Sequence, residues 1–105
     1  MANNTYRALA HPIRRGIIER LAEGPATVGE ATRQFGVSKP TLSRHLKVLE
    51  QAGVVVRVVD GRTHRLRLDV GPLDEATAWL DVQRSRWRQM FEVVDDFVAE
   101  KREER

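Results

Sequence analysis

Cysteine is absent from the 105 residues, which excludes disulfides and thiolate metal sites from the outset. No apolar run approaches the roughly 20 residues needed to cross a bilayer. The opening MANNTYRALAHP lacks the apolar stretch of a secretory signal, so a cytoplasmic protein with no membrane partner is expected. Histidine is scarce. His11, His45 and His64 are scattered over separate elements, and none lies at metal-ligand spacing. A catalytic histidine needs a nearby carboxylate and a pocket, and no glycine-rich loop is present to cradle a phosphate. An enzyme, a cofactor and a metal site are therefore not expected.

What the chain does have is charge, unevenly placed. Charged residues make up 31% and hydrophobic ones 41%, as in a soluble globular protein. The length fits one domain, 1–105, with a core large enough to fold. The net charge is +3, but residues 1–68 hold 12 basic and 5 acidic side chains, a balance of +7. Residues 69–105 hold 6 and 10, a balance of −4. The basic part is either an unevenly solvated surface or an electrostatic footprint for phosphates. Its coincidence with the motif below favours the footprint.

Residues 27–52, TVGEATRQFGVSKPTLSRHLKVLEQA, read as a short helix, a tight turn at Gly36 and a second helix that starts at Ser38. Thr27 and Glu30 match a capping box. Ala31 and Phe35 face inward, Gly36 supplies the backbone freedom of the turn, and Val37 plugs the gap between the two helices. Ser38 caps the second helix, Pro40 is tolerated in its first turn, and Gly53 ends it. Leu42, Leu46 and Leu49 form one buried stripe. Lys39, Thr41, Ser43, Arg44, His45 and Lys47 lie largely on other faces, which suits a helix laid in a DNA major groove.

The rest of the chain frames this motif. Tyr6, Leu9 and Ala10 belong to a short opening helix, broken at His11-Pro12. A helix over about 12–22 follows, with Ile13, Ile17 and Leu21 on its core face. VVVRVVD and THRLRLD flank Gly61-Arg62, and Asp60-Gly61 signals a hairpin turn, giving a wing over 54–68. Leu66 and Leu68 alternate with Arg65 and Arg67, whereas Val54–Val59 read as packed on both sides. From Leu73 a helix covers 72–101. Leu73, Ala76, Leu80, Gln83, Trp87, Met90, Val94 and Phe97 recur at alternating spacings of three and four, a heptad seam. Trp79, Val82, Phe91, Val93 and Val98 widen it. A helix of about 29 residues spans roughly 43 Å, longer than a domain this small needs. It is expected to pack against a second copy of itself; the alternative is that it folds back on its own core.

The residues facing double-stranded DNA can be named. Ser38, Lys39 and Thr41 stand in the first turn of the second helix, where N–H groups and the positive dipole end approach phosphates. Thr41 and Ser43 reach base edges or phosphates, and Arg44 is the candidate for a bidentate contact to guanine. Lys47 meets backbone or solvent. His45 either touches DNA or packs at the helix edge. In the wing, Arg62 and His64 enter a minor groove or hold phosphates, while Arg65 and Arg67 read equally as a solvated strand face. Arg14 and Arg15 touch the DNA backbone or form surface salt bridges, and His11 caps or packs.

The order helix, helix, helix-turn-helix, hairpin, long helix, together with Ala10-His11-Pro12-Ile13-Arg14-Arg15, Ser43-Arg44-His45-Leu46-Lys47-Val48-Leu49 and Ala52-Gly53-Val54-Val55, resembles the ArsR-type family of winged-helix repressors. The resemblance covers nearly the whole chain. It implies a mainly α fold with a β-hairpin wing and a homodimer on a palindromic operator. It also implies dimerisation through the terminal helices, so that Tyr6 and Leu9 join Leu73, Leu80, Trp87, Met90, Phe91, Val94 and Phe97 in the interface. The family's metal sensors carry thiolates near the first helix of the motif, or an Asp/His/His/Glu set on the last helix. Here the first region reads Thr27-Val28-Gly29-Glu30 and the last helix has no histidine, so the chain looks like members without a metal site. The identity of any small-molecule effector is not readable. A place for one lies near Trp79, Trp87 and Phe91, which read equally as dimer core. A winged helix recruited to bind protein is the alternative function; it predicts acids or bulky apolar residues where Lys39, Thr41, Ser43 and Arg44 stand.

Overall fold

The first boundary falls at His11-Pro12. In the computed structural model, which describes residues 2–103, α1 (Ala2–Leu9) stops there and α2 (Pro12–Ala22) begins. His11 is the N-cap of α2: its backbone is extended and its Nδ1 accepts from the Ile13 N–H at 3.1 Å. Arg14 and Arg15 reach back to the carbonyls that end α1, which have no partner within that helix. Arg14 donates to Ala8 O at 3.2 Å and Arg7 O at 2.8 Å, and Arg15 to Leu9 O at 2.8 Å. The pair expected to meet DNA or acids thus caps a helix of its own chain.

After Gly24-Pro25 comes a strand the sequence did not announce, β1 (Ala26–Thr27). Two residues carry no periodicity, so only the fold identifies it. The elements α3 (Val28–Thr32), α4 (Lys39–Gln51), β2 (Val55–Asp60), β3 (Thr63–Leu68) and α5 (Gly71–Glu103) follow. The sheet is antiparallel in the order β1-β3-β2, so β3 is central: Leu66 pairs with Ala26 on one side and Arg57 on the other. The hairpin turn is where it was expected, with Gly61 at φ +61°. Gly53 ends α4 at φ +73°. Gly36, by contrast, has no positive φ, so the turn between α3 and α4 does not depend on left-handed backbone there.

Ile17, Leu21, Ala31, Leu46, Leu49, Val54, Val55 and Leu66 are buried together, with Ile13, Phe35, Leu68 and Leu73 packed around them. Three expectations about this core are corrected. Val37 is 40% exposed and plugs nothing, because Phe35 already fills the space beside α2. Leu42 is only half-buried, because it floors an open groove between α3 and α4. The first wing strand is buried only at Val54 and Val55, and Val59 is 57% exposed, since the hairpin leaves the body as it rises.

α5 dominates the outline. Its 33 residues give the molecule a longest dimension of 75 Å. Leu73 packs on the core, Ala76 is buried, and Trp79 meets Tyr6 of α1 edge-on at 6.1 Å. Beyond that the helix does not fold back: Trp87, Met90, Phe91, Val93, Val94 and Phe97 are exposed, Phe91 by 65%. Among the described residues no helix is long and apolar enough to cross a membrane.

Candidate nucleic-acid interface

α4 presents its surface because its ends are fixed. Ser38 stands outside the helix in extended backbone, and its Oγ accepts from the Thr41 N–H at 3.4 Å while lying 2.9 Å from the Thr41 hydroxyl. Pro40 sits in the first turn, where its missing N–H costs nothing. α3 is anchored in the same way: the Thr27 oxygen accepts from the Glu30 N–H at 3.2 Å, and its hydroxyl donates to the Glu30 carboxylate at 2.9 Å. The Thr27 hydroxyl, and then the Thr27 backbone N–H, hold the Glu30 carboxyl below its usual range. With Leu46 and Leu49 buried beneath, Lys39, Ser43, Arg44 and Lys47 stand exposed and Thr41 half-exposed. Lys39 and Ser43 also border a groove of about 350 Å³ between α3 and α4, floored by Val28, Leu42 and Leu46.

His45 is the exception on this helix. It turns toward α2, where Arg14 Nη1 lies 3.1 Å from its Nδ1 and the His11 ring stacks 4.3 Å away. Arginine has donors only, so Nδ1 accepts and the imidazole carries its proton on Nε2. Burial, then His11, then Arg14 push its pKa down. Of its two readings, packing at the helix edge is the one the geometry matches.

The wing is tied to α4 by a residue that the sequence reading passed over. Arg57 binds Glu50 through Nε at 2.7 Å and Nη2 at 3.2 Å, and its Nη1 lies 3.1 Å from His64 Nδ1. The bond to Glu50 raises the Arg57 pKa against the opposing effect of burial. The available signal was a lone arginine inside VVVRVVD, seven residues after an acid on the preceding helix. His64 is thus held from within the chain, whereas Arg62 stands exposed at the turn. Both line a groove of about 430 Å³ between the wing and the start of α3. Arg65 and Arg67 are exposed on β3. Lys39, Ser43, Arg44 and Lys47 on α4 and Arg62 on the wing are therefore exposed, Thr41 is half-exposed, and His45 and His64 have internal partners.

On α5 a groove of about 480 Å³ runs along one side of the helix, lined by Gln83, Arg86, Trp87, Gln89, Met90 and Val93. Among the described residues no three His, Asp or Glu side chains gather where they would hold a metal ion.

Comparisons with known proteins agree with this fold. A family model described as a helix-turn-helix domain matches residues 9–59. The chain is 45% identical over 67 residues to the HTH-type transcriptional regulator Rv2034 of Mycobacterium tuberculosis, a match covering 64% of this chain and 63% of that protein. It is 33% identical over 78 residues to the transcriptional repressor SdpR of Bacillus subtilis, covering 74% and 87%. Among solved structures, an ArsR family transcriptional regulator superposes with a TM-score of 0.78 at 34% identity, over 82% of this chain and 89% of that one.

Proposed function

The chain belongs to the ArsR-type family of winged helix-turn-helix DNA-binding regulators, and from that premise we propose that it is a homodimeric repressor that occludes a palindromic operator without a metal site. The domain is taken as 1–105, with the reading motif at 27–52, the wing at 54–68 and the dimerisation helix at 72–101. One observation carries the reading. α4 exposes Lys39, Ser43, Arg44 and Lys47 on one surface while its apolar face is locked into the core. A helix so held inserts as a rigid body, and its short polar and cationic side chains match base edges and phosphates.

Ser38, Lys39 and Thr41 take phosphates at the helix start, Thr41 and Ser43 also base edges, and Arg44 reads guanine. Lys47, with Arg62 on the wing, adds backbone contacts. His45 positions the helix and His64 supports the wing. The exposed apolar length of α5 supports a second copy as its cover, with Tyr6, Leu9 and Leu73 at the base of the interface and Leu80, Trp87, Met90, Phe91, Val94 and Phe97 along it. Two α4 helices then enter successive major grooves, about 34–36 Å apart. The test is a mobility-shift titration over rising salt on a duplex selected from a random pool. Affinity is expected to fall steeply as salt rises, and zinc or chelator to leave it unchanged. Affinity indifferent to salt overturns the reading, because phosphate engagement releases counterions.

A further inference from the structure

Arg7 lies outside every element the helix-turn-helix motif uses, yet it stands beside the reading helix. The end of α1 and the outer side of α4 border a groove of about 350 Å³ lined by Arg7, Arg44, Lys47, Val48 and Gln51. Three of the five are cations and none is an acid. Among the described residues the side chains of Arg7, Arg44 and Lys47 form no hydrogen bond or ion pair within the chain; the three ion pairs present use Arg20, Arg57 and Arg84. Like charges gathered without a counter-charge raise the energy of the folded state unless an outside anion neutralises them.

The juxtaposition is fixed by the backbone. Arg14 holds the carbonyl of Arg7 at 2.8 Å and that of Ala8 at 3.2 Å, and the same guanidinium reaches His45 on α4 at 3.1 Å. The last turn of α1 is thereby pinned to the reading helix, and Arg7 borders one groove with Arg44. The charge of Arg7 is felt by Arg14 beneath it, where it adds to burial in lowering the Arg14 pKa.

We propose that this groove seats a DNA backbone phosphate, so that α1 joins the interface through Arg7 together with Lys47, beside the Arg44 that reads the base. The inference rests on the DNA-binding reading above. A phosphate contact fixes register and strengthens binding to every sequence alike.

Arg7→Gln removes the charge and leaves the capped carbonyl in place. Its affinity is measured by fluorescence anisotropy over a salt series, on a mixed-sequence duplex and on one selected from a random pool. Arg7→Lys and Arg102→Gln, the latter exposed near the far end of α5, are measured beside it. Arg7→Gln is expected to weaken both duplexes by the same factor, about three- to tenfold at low salt, and to flatten the log–log salt slope by roughly one to two per dimer. Arg7→Lys restores the slope, and Arg102→Gln leaves it unchanged. An Arg7→Gln slope equal to wild type overturns the seat. So does a loss confined to the selected duplex, or an equal flattening by Arg102→Gln. If the wild-type chain itself binds neither duplex, the parent reading fails, an outcome distinct from all three.

Discussion

His45 is where a single side chain links stability to proton concentration. Its neutral form accepts from Arg14; a proton on Nδ1 removes that acceptor and sets a third cation beside Arg14 and Arg7. The folded-state pKa lies below the ordinary histidine value, so the unfolded chain binds the proton more readily. His45 therefore costs nothing above about pH 6.5, and stability falls as pH drops from there through the lowered folded value. A thermal-denaturation series from about pH 8 to 5 is expected to show this fall, with a smaller one in His45→Gln. A fall of equal size in the variant would remove His45 as the cause. Ser38 acts at the same scale. Ser38→Ala deletes the N-cap of α4 and is expected to cost about 1 kcal/mol in urea denaturation, while Ser38→Asp keeps most of it. The cap was legible from Ser38 and Pro40, because capping depends on chemistry within three residues. The partnership of His45 with Arg14 was not, because 31 positions separate them.

At the scale of elements, the wing is held by its turn and by one strut. Gly61 at φ +61° occupies left-handed backbone, and Gly61→Ala is expected to destabilise the chain by about 1 kcal/mol in the same urea measurement. The strut is Arg57, bridging Glu50 on α4 and His64 on β3. Both members of the Glu50–Arg57 pair are partly exposed, so a double-mutant cycle with Glu50→Gln and Arg57→Gln is expected to give a coupling of only about 0.5–1 kcal/mol. The larger effect is predicted on binding: the loosened wing lets hydroxyl-radical footprints fade beside the major-groove contact while that contact persists. Gly61 marked the hairpin in the sequence because the first place of its two-residue loop, Gly61-Arg62 between the paired Asp60 and Thr63, takes positive φ. β1 stayed hidden because its pairing with β3 comes from the path of α2 over the sheet, not from any pattern in Ala26-Thr27.

For the whole molecule, the deciding feature is a helix that outruns its own domain. The distal part of α5 bares Trp87, Met90, Phe91, Val94 and Phe97, a surface that water alone covers poorly. Trp87→Glu is expected to turn the proposed dimer into a monomer by sedimentation, and to weaken DNA binding more than about tenfold, since one half-site contact is then lost. In the proposed dimer, charge favours one pairing direction. Arg84, Arg86 and Arg88 precede Met90, and Glu92, Asp95, Asp96 and Glu100 follow it. A parallel, in-register pair would set like charges together; an antiparallel one centred near Met90 sets opposite charges together. In a chain without cysteine, Met90→Cys is then expected to cross-link to its own copy and Gln83→Cys to a Phe97→Cys partner, while Gln83→Cys alone stays single.

What the sequence determined by itself was everything local or periodic. The breaks at His11-Pro12 and Gly24-Pro25, the caps at Thr27 and Ser38, the hairpin at Asp60-Gly61 and the heptad spacing of α5 each arise from a few neighbouring residues. Tertiary structure alone decided which charged side chains were spent inside the chain and which were left for a partner. Among the described residues Arg14, Arg57, His45 and His64 have internal partners, whereas Arg7, Arg44 and Lys47 do not. That division depends on distances between segments far apart in the chain, and composition and spacing carry no record of them.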